Sequence, residues 1–298
     1  MERSITMARK IICTNSDGLS IVLTDQFAPW LLENCEGIYE TRSTVNTSEN
    51  TMTDGSTYQG STTRMRNIVL TLRDNPQGNH LENRSMLYSI FKPKKPGLFI
   101  YEEGEIVRQI TYYVESVMID TIKRARQAVI SLLCPDPFFV DLQDMEIQMS
   151  AWISAFEFPH EFIAAGEEFG NRAAERMKTI VNDSAADNVG ITITIEASGT
   201  VVNPSVTHVE QEESITVGTA LNPMTMTSGD KIIITTHTNN KHVYLERNGE
   251  REEINEYLTE DSEFIQLNNG ENTFGYTAES GLNYMMVSIS FRYHYMGV

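Results

Sequence analysis

Residues Gln59 to Asp141, QGSTTRMRNIVLTLRDNPQGNHLENRSMLYSIFKPKKPGLFIYEEGEIVRQITYYVESVMIDTIKRARQAVISLLCPDPFFVD, decide the fold. They read as a strand, a short helix, a strand, a long strand, a turn and a strand. Ile68, Leu70 and Leu72 alternate with Asn67 and Thr71, the period-two pattern of a half-buried strand. Asn75-Pro76-Gln77-Gly78 ends that strand, because proline removes a backbone donor and glycine admits positive φ. From His80 to Phe91, Leu87 stands with Ile90 and Phe91 at helical spacing. Lys92-Pro93-Lys94-Lys95-Pro96-Gly97 then stops the helix, with lysines at its negative end and prolines beyond. Ile110, Tyr112, Val114 and Ser116 are expected on one face of a long strand. Ala128, Ile130 and Leu132 are expected on one face of the next, after a basic turn with Lys123, Arg124 and Arg126. Pro135-Asp136-Pro137 ends the sheet.

Upstream, Ile11-Ile12-Cys13 is a short strand and Asn15-Ser16-Asp17-Gly18 a turn signal. Leu19, Ile21 and Leu23 alternate with Ser20, Val22 and Thr24 to complete a hairpin. Ala28-Pro29-Trp30-Leu31-Leu32 reads as apolar and irregular. Residues 40–62 are almost wholly polar and rich in threonine and serine, so they cannot cover a core and are either a loop or a β-arm ordered by a neighbour.

After Phe139 the composition changes, and a length of 298 residues suits two domains. The expected division is 1–143 and 144–298. Ile147, Met149, Ala151 and Ile153 alternate as a strand, and 161–172 reads as loop. Residues 173–181, AAERMKTIV, fit a helix by propensity or a strand running into Asn182-Asp183-Ser184, and periodicity does not separate these. Beyond Gly190 the chain is a series of β-rich runs: Ile191–Ile195, Ser214–Val217, Lys231–Thr236, Val243–Leu245, Phe264–Leu267, Asn272–Tyr276 and Met285–Phe291. Asn248-Gly249, Asn269-Gly270 and Ser280-Gly281 divide them. Many short strands at this spacing indicate a two-sheet sandwich or jelly roll.

Several pieces occur in one order: Asn15-Ser16-Asp17-Gly18-Leu19-Ser20-Ile21, Gly60-Ser61 ahead of Arg66-Asn67-Ile68, the helix entering Lys92-Pro93-Lys94, Tyr113-Val114-Glu115-Ser116, and Leu132-Leu133-Cys134-Pro135-Asp136-Pro137-Phe138. Together they resemble the distal tail proteins of long-tailed bacteriophages (siphophages). The resemblance covers most of the first half; the second agrees in character, as a glycine-punctuated β stretch. It implies a mainly β fold: an N-terminal β-barrel-like or split-sheet domain with one α-helix and a projecting arm, then a C-terminal galectin-like β-sandwich. It also implies a non-enzymatic component of a phage or prophage-derived tail, made in the bacterial host cytoplasm and placed at the virion tail tip. There a homo-oligomer, a hexameric ring, joins the tail tube to the baseplate or host-binding apparatus. The implied partners are the tail tube protein, the tape-measure protein and a tail-associated baseplate protein. In that family the region of 40–62 helps join adjacent subunits, which favours the arm over the loop.

The residues themselves carry no enzyme motif: there is no GxGxxG, P-loop, GxSxG, HExxH or CxxC. Asn182-Asp183-Ser184 to Asp187-Asn188 lacks the glycine and closing glutamate of a calcium loop. His237 and His242 could face one another on a hairpin but have no fixed-spacing cysteine or carboxylate. Glu102-Glu103 and Glu252-Glu253 are adjacent, and neighbours on a strand point to opposite faces. The expectation is therefore no catalytic residue, no metal and no cofactor. Cys13, Cys35 and Cys134 are three cysteines at unrelated spacings, against a disulfide framework. Met1 to Val22 lacks the apolar run of a secretory signal, and no stretch reaches the roughly 20 apolar residues of a membrane span, so no membrane insertion is expected.

With 23 basic and 41 acidic residues the formal charge is −18. Tight nucleic-acid binding is not expected of such a chain, although DNA can slide through an acidic lumen. Lys92, Lys94, Lys95, Lys123, Arg124 and Arg126 stand out as a basic group in the first half: a solvated face, a nucleic-acid site, or the positive side of a head-to-tail contact. Trp152, Phe156, Phe158 and Phe162, with Phe138 and Phe139, are either interdomain core or subunit interface. Candidate interface residues are Thr47, Thr51, Thr53 and Tyr58 on the arm and Lys123, Arg124 and Arg126 in the basic turn. Assembly is placed in 1–143, and deleting 43–57 is expected to weaken a ring without unfolding the subunit. The alternative function is a carbohydrate-binding β-sandwich module, with Trp152, Tyr257 or Tyr293 as stacking platforms.

Overall fold

The computed structural model describes residues 9–26, 28–49, 52, 54–75, 78–120, 126–149, 152–154, 170–172, 177–184 and 186–298. Contacts divide the chain into two units, Met1–Leu142 with His294–Val298, and Gln143–Tyr293. The last five residues thus belong with the first half of the chain.

The first unit runs β1 (Lys10–Asn15), β2 (Ser20–Leu23), β3 (Trp30–Glu36), β4 (Ser43–Glu49), β5 (Ser56–Thr63), β6 (Arg66–Asp74), α1 (His80–Ile90), β7 (Pro96–Glu103), β8 (Ile106–Asp120), β9 (Gln127–Cys134) and β10 (Phe139–Val140). Its main sheet is ordered β2-β1-β7-β8-β9-β6-β3. The two end strands meet at a parallel bridge, Thr24 to Leu31, where Leu32 N–H donates to the Thr24 carbonyl at 2.9 Å. The path therefore curls back on itself like a barrel, which leaves few open edges. Ile68, Leu70, Leu72, Phe99, Tyr101, Ile130 and Leu132 fill it. Each such side chain contributes about 1.5–3 kcal/mol by apolar burial.

α1 seats Leu87, Ile90 and Phe91 in this core. Asn79 caps the helix by accepting from Leu81 N, and the buried Trp30 indole N–H donates to the Asn83 carbonyl at 2.9 Å. Two expectations are corrected here. Residues 30–32 are not irregular but open β3, because Trp30 is pinned to α1 and Leu31 and Leu32 pair with β6. Ser116 does not share a face with Ile110, Tyr112 and Val114: the register shifts between Val114 and Ser116. A bulge adds one residue and reverses the faces beyond it, so Val117 and Ile119 turn inward instead.

The Asn15–Gly18 turn is tied to the far end of α1. Asn15 Oδ1 accepts from Asp17 N and Leu19 N, each at 2.9 Å, while its Nδ2 donates to the Ser89 carbonyl at 2.9 Å. Lys92 and Lys95 both donate to the Asp17 carboxylate, at 2.8 and 2.9 Å. These bonds hold the Asp17 pKa down at about 2. A folded-state value below the unfolded one stabilises the protein above the ordinary aspartate range, and that contribution fades as pH falls through about 2. Asp17→Asn is therefore expected to lower Tm by a constant amount between pH 5 and 7, with the gap closing toward pH 2. A gap independent of pH in thermal melts contradicts this.

The second unit runs β11 (Met145–Gln148), β12 (Trp152–Ser154), β13 (Gly170–Arg172), β14 (Met177–Asn182), β15 (Thr192–Ala197), β16 (Val201–His208), β17 (Glu213–Thr216), β18 (Thr225–Met226), β19 (Lys231–His237), β20 (Asn240–Arg247), β21 (Glu250–Glu253), β22 (Gly270–Ser280) and β23 (Met285–Phe291). The terminal β24 (His294–Tyr295) pairs with β10 in the first unit. One sheet is ordered β11-β23-β15-β19-β20-β21 and another β14-β22-β16-β17, with β18 on β16. Ile193, Ile195, Ile232, Ile234, Val287 and Ile289 from the first, with Ile180, Val206, Ile215 and Phe274 from the second, are buried, the inward faces of a β-sandwich. Asn248 and Gly249 both have positive φ, as a two-residue hairpin turn between β20 and β21 requires.

Residues 177–181 of the undecided stretch lie in β14, which ends at Asn182; 173–176 lie outside the described residues. Phe264–Leu267 is not a strand: only Leu267 makes an isolated bridge, to Val189. β16, which is not among the runs named from the sequence, holds Pro204, a residue uncommon in central strands, yet it lies between β22 and β17.

Candidate assembly surface

β4 and β5 form a hairpin that pairs with no other strand among those described. Polar residues with little to bury make a two-stranded ribbon only marginally stable by itself in water. The register places Val45 opposite Ser61 and Thr47 opposite Tyr58. Tyr58 Oη donates to Ser61 Oγ at 3.0 Å, so Val45 and Tyr58 share one face. They are 58% and 62% exposed, and Met52 at the tip is 95% exposed. Ser43–Glu49 and Ser56–Thr63 are thus the two strands of a β-arm.

The arm is held at its root by Arg66, the first residue of β6. The residue is 5% exposed, and its guanidinium donates to four backbone carbonyls: Gly37 (2.5 Å), Glu40 (2.6 Å), Pro137 (2.7 Å) and Met296 (2.5 Å). It lies over the Phe139 ring, 5.0 Å from its centroid. No carboxylate among the described residues pairs with it, and burial pulls its pKa down. Gly37, at φ +85°, lets the chain pass so close to β6 that a Cβ would stand 2.0 Å from the Asn67 carbonyl oxygen. Thr41 Oγ1 adds a bond to the Met296 carbonyl at 2.8 Å, and Arg64 N–H closes the root on the Arg42 carbonyl at 2.8 Å.

Asp74 occupies the other end of β6, also buried. It accepts from Asn83 Nδ2 at 2.7 Å and contacts His80 Nδ1, with Arg126 Nη1 3.9 Å away. The basic group is therefore split. Lys92 and Lys95 serve Asp17 beyond the last turn of α1, whereas Arg126 stands by Asp74 and His80 at its first. Thr47 and Tyr58 lie together on the arm; Thr51, Thr53, Lys123 and Arg124 lie outside the described residues. So do Phe156, Phe158 and Phe162, and the side chain of Trp152.

The remaining candidates disperse. His237 contacts Thr192 Oγ1 and His242 contacts Glu253 Oε1. Glu102 pairs with Lys10, and Glu103 with Arg9 and the Tyr101 hydroxyl. Asn182 Oδ1 accepts from Ser184, closing a turn. No group of three metal-ligating side chains occurs among the described residues. Cys13, Cys35 and Cys134 are free thiols, and burial pushes Cys35 and Cys134 up to about 12. In the second unit an open cleft of about 550 Å³ is lined by Asn203, Ser205, Thr216, Thr277 and Glu279 among others. Neither Tyr257 nor Tyr293 lines it, and it has no aromatic platform. No helix among the described residues is long and apolar enough to cross a membrane.

A family model described as the phage tail protein RIFT-related domain matches residues 16–134. A second, the C-terminal domain of the siphovirus-type tail component, matches 185–295. The chain belongs to the siphovirus-type tail components. This tail component is similar in structure to the SPP1 Dit (gp 19.1) protein, described as a paradigm of the hub adsorption apparatus in phages that infect Gram-positive bacteria. The identity is 10%, over 95% of this chain and 99% of that one, with a TM-score of 0.64. It is also similar to chains of the phage P2 baseplate in its activated conformation. With calcium the identity is 10% over 98% and 100% of the two chains, TM-score 0.53. With strontium it is 12% over 98% and 99%, TM-score 0.52. At these identities the likeness establishes a shared, mainly β fold. No curated protein sequence matches the chain.

Proposed function

We propose that this tail component is the distal tail hub protein, whose first unit closes into a hexameric ring at the tail tip. The observation that carries this is the uncovered β4–β5 arm on a sheet with few edges of its own. An arm that pairs with no other strand among the described residues suits a head-to-tail contact, which closes when its rotation fits a whole number of subunits. Similarity to the SPP1 hub protein and the P2 baseplate supports placing the ring between the tail tube and the baseplate or host-binding apparatus. Its neighbours would be the tail tube protein, the tape-measure protein and a tail-associated baseplate protein. The role is structural, without catalysis. The −18 charge lets DNA pass a lumen without the counterion release that holds it to basic channels. Sedimentation velocity and negative-stain images of the full chain test the reading: six-fold rings are expected, and a monomer at every concentration contradicts it.

A further inference from the structure

The first unit carries a cleft of about 470 Å³ beside the first turn of α1. Trp30, Leu81 and Ile119 give it apolar walls, and His80, Arg84 and Arg126 surround them with cationic or proton-accepting groups. Asp74, which also borders it, is buried and already engaged by Asn83 and His80. Arg84 has no partner among the described residues, and Leu81 is 65% exposed although it lies at a cleft wall. An apolar floor with unspent positive charge fits an apolar side chain flanked by carboxylates.

The tip of the arm has that chemistry. Met52 is nearly fully exposed, and Glu49 and Asp54 on either side of it are exposed as well. Methionine is unbranched and adapts to irregular apolar gaps. The arm is rooted at Arg66 and the cleft lies against Asp74, the two ends of β6. Nine strand residues separate these ends by about 26 Å. Two unlike, complementary patches at opposite ends of one element are what a heterologous contact between copies requires.

We propose that the cleft receives the arm tip of a neighbouring copy, with Met52 seated on Trp30, Leu81 and Ile119 and the Glu49 and Asp54 carboxylates facing Arg84 and Arg126. This rests on the arm-mediated assembly above and names where the arm goes. Glu49, Asp54 and Arg84 are exposed and Arg126 is partly so, so the contact weakens with salt.

The test uses the full chain. Arg84→Glu with Arg126→Glu is expected to weaken assembly at least tenfold in sedimentation velocity, as is Met52→Asp; thermal melts are expected unchanged for Arg84→Glu alone and for Met52→Asp, whereas Arg126→Glu also faces the buried Asp74 carboxylate and lowers Tm. Mixing the Arg84→Glu/Arg126→Glu protein with a Glu49→Arg/Asp54→Arg protein is expected to restore mixed oligomers. Mixing Met52→Cys with Leu81→Cys should give an inter-chain disulfide, which neither variant forms alone; the native thiols are buried or half-buried. Arm removal that abolishes assembly, with Arg84→Glu/Arg126→Glu leaving it intact and no cross-link, overturns this inference while the ring reading stands. Intact assembly after arm removal overturns the inference and the arm's role together. A cleft that instead captures an acidic segment of another tail protein, with assembly of this chain unaffected by the Arg84 and Arg126 changes, also overturns it.

Discussion

Arg66→Met is expected to destabilise the first unit by about 3–5 kcal/mol, a large share of the roughly 5–15 kcal/mol that holds a domain folded. The guanidinium is the donor for four carbonyls drawn from Gly37, Glu40, Pro137 and Met296, segments far apart in sequence. Methionine keeps the stem over the Phe139 ring and removes every donor, leaving acceptors that cost about 1–3 kcal/mol each where water cannot reach them. Arg66→Lys should recover only part of the loss, because an ammonium cannot span carbonyls on several sides as the planar fork does. Urea unfolding followed by Trp30 fluorescence in a Trp152→Phe background isolates the first unit, since the chain has two tryptophans. A loss below about 1 kcal/mol would show that the carbonyls find other donors. The same bonds bear on truncation. Met296 and Gly297 are held by Arg66 and Arg108, so a chain ending at 143 lacks two of the anchors that residues 294–298 bring to the first unit.

The elements legible in sequence are those whose pattern is local. β6 declares itself by Ile68, Leu70 and Leu72, and α1 by Leu87 and Ile90, because one face of each meets the core. The faces of β8 were not legible past Val114, since one inserted residue reverses the parity without changing composition. β16 holds Pro204, a residue uncommon in central strands, and Phe264–Leu267 resembles a strand although its backbone bonds run largely outside any ladder. The arm was legible as too polar to be core, but its pairing was not. The role of Arg66 has a signal in the sequence itself. Arg66 and Asp74 are in phase with Ile68, Leu70 and Leu72, so both ends of β6 place a charge on the buried face. A charge in phase with a core needs a partner, and the two partner sets lie at the root of the arm and at the first turn of α1. The basic group was misleading for the opposite reason: Lys92, Lys95 and Arg126 are similar in charge, but α1 separates the sites they serve.

Replacing residues 43–63 by Asn-Gly is expected to abolish assembly while leaving Tm of the first unit within a few degrees of the parent. The root is already closed by the Arg64 N–H to Arg42 carbonyl bond, so a two-residue turn spans the gap with the geometry of a short hairpin. Removing only 43–57 would strip β4 and leave most of β5 unpaired, mixing loss of the contact with a loose end. No arm residue belongs to the buried core of this unit, and an isolated two-stranded ribbon contributes little stability in water. The arm's apolar side chains, Val45, Met52 and Tyr58, are exposed, so their removal costs the monomer almost nothing. In an assembly each would be covered, at about 1.5–3 kcal/mol per fully buried side chain, repeated at every interface of a ring. That asymmetry is why the effect on assembly is expected to be large and the effect on the fold small. Sedimentation velocity with parallel thermal melts decides it. Rings that survive the replacement place the contact elsewhere on the first unit, and a Tm drop of ten degrees or more would make the arm part of the fold after all.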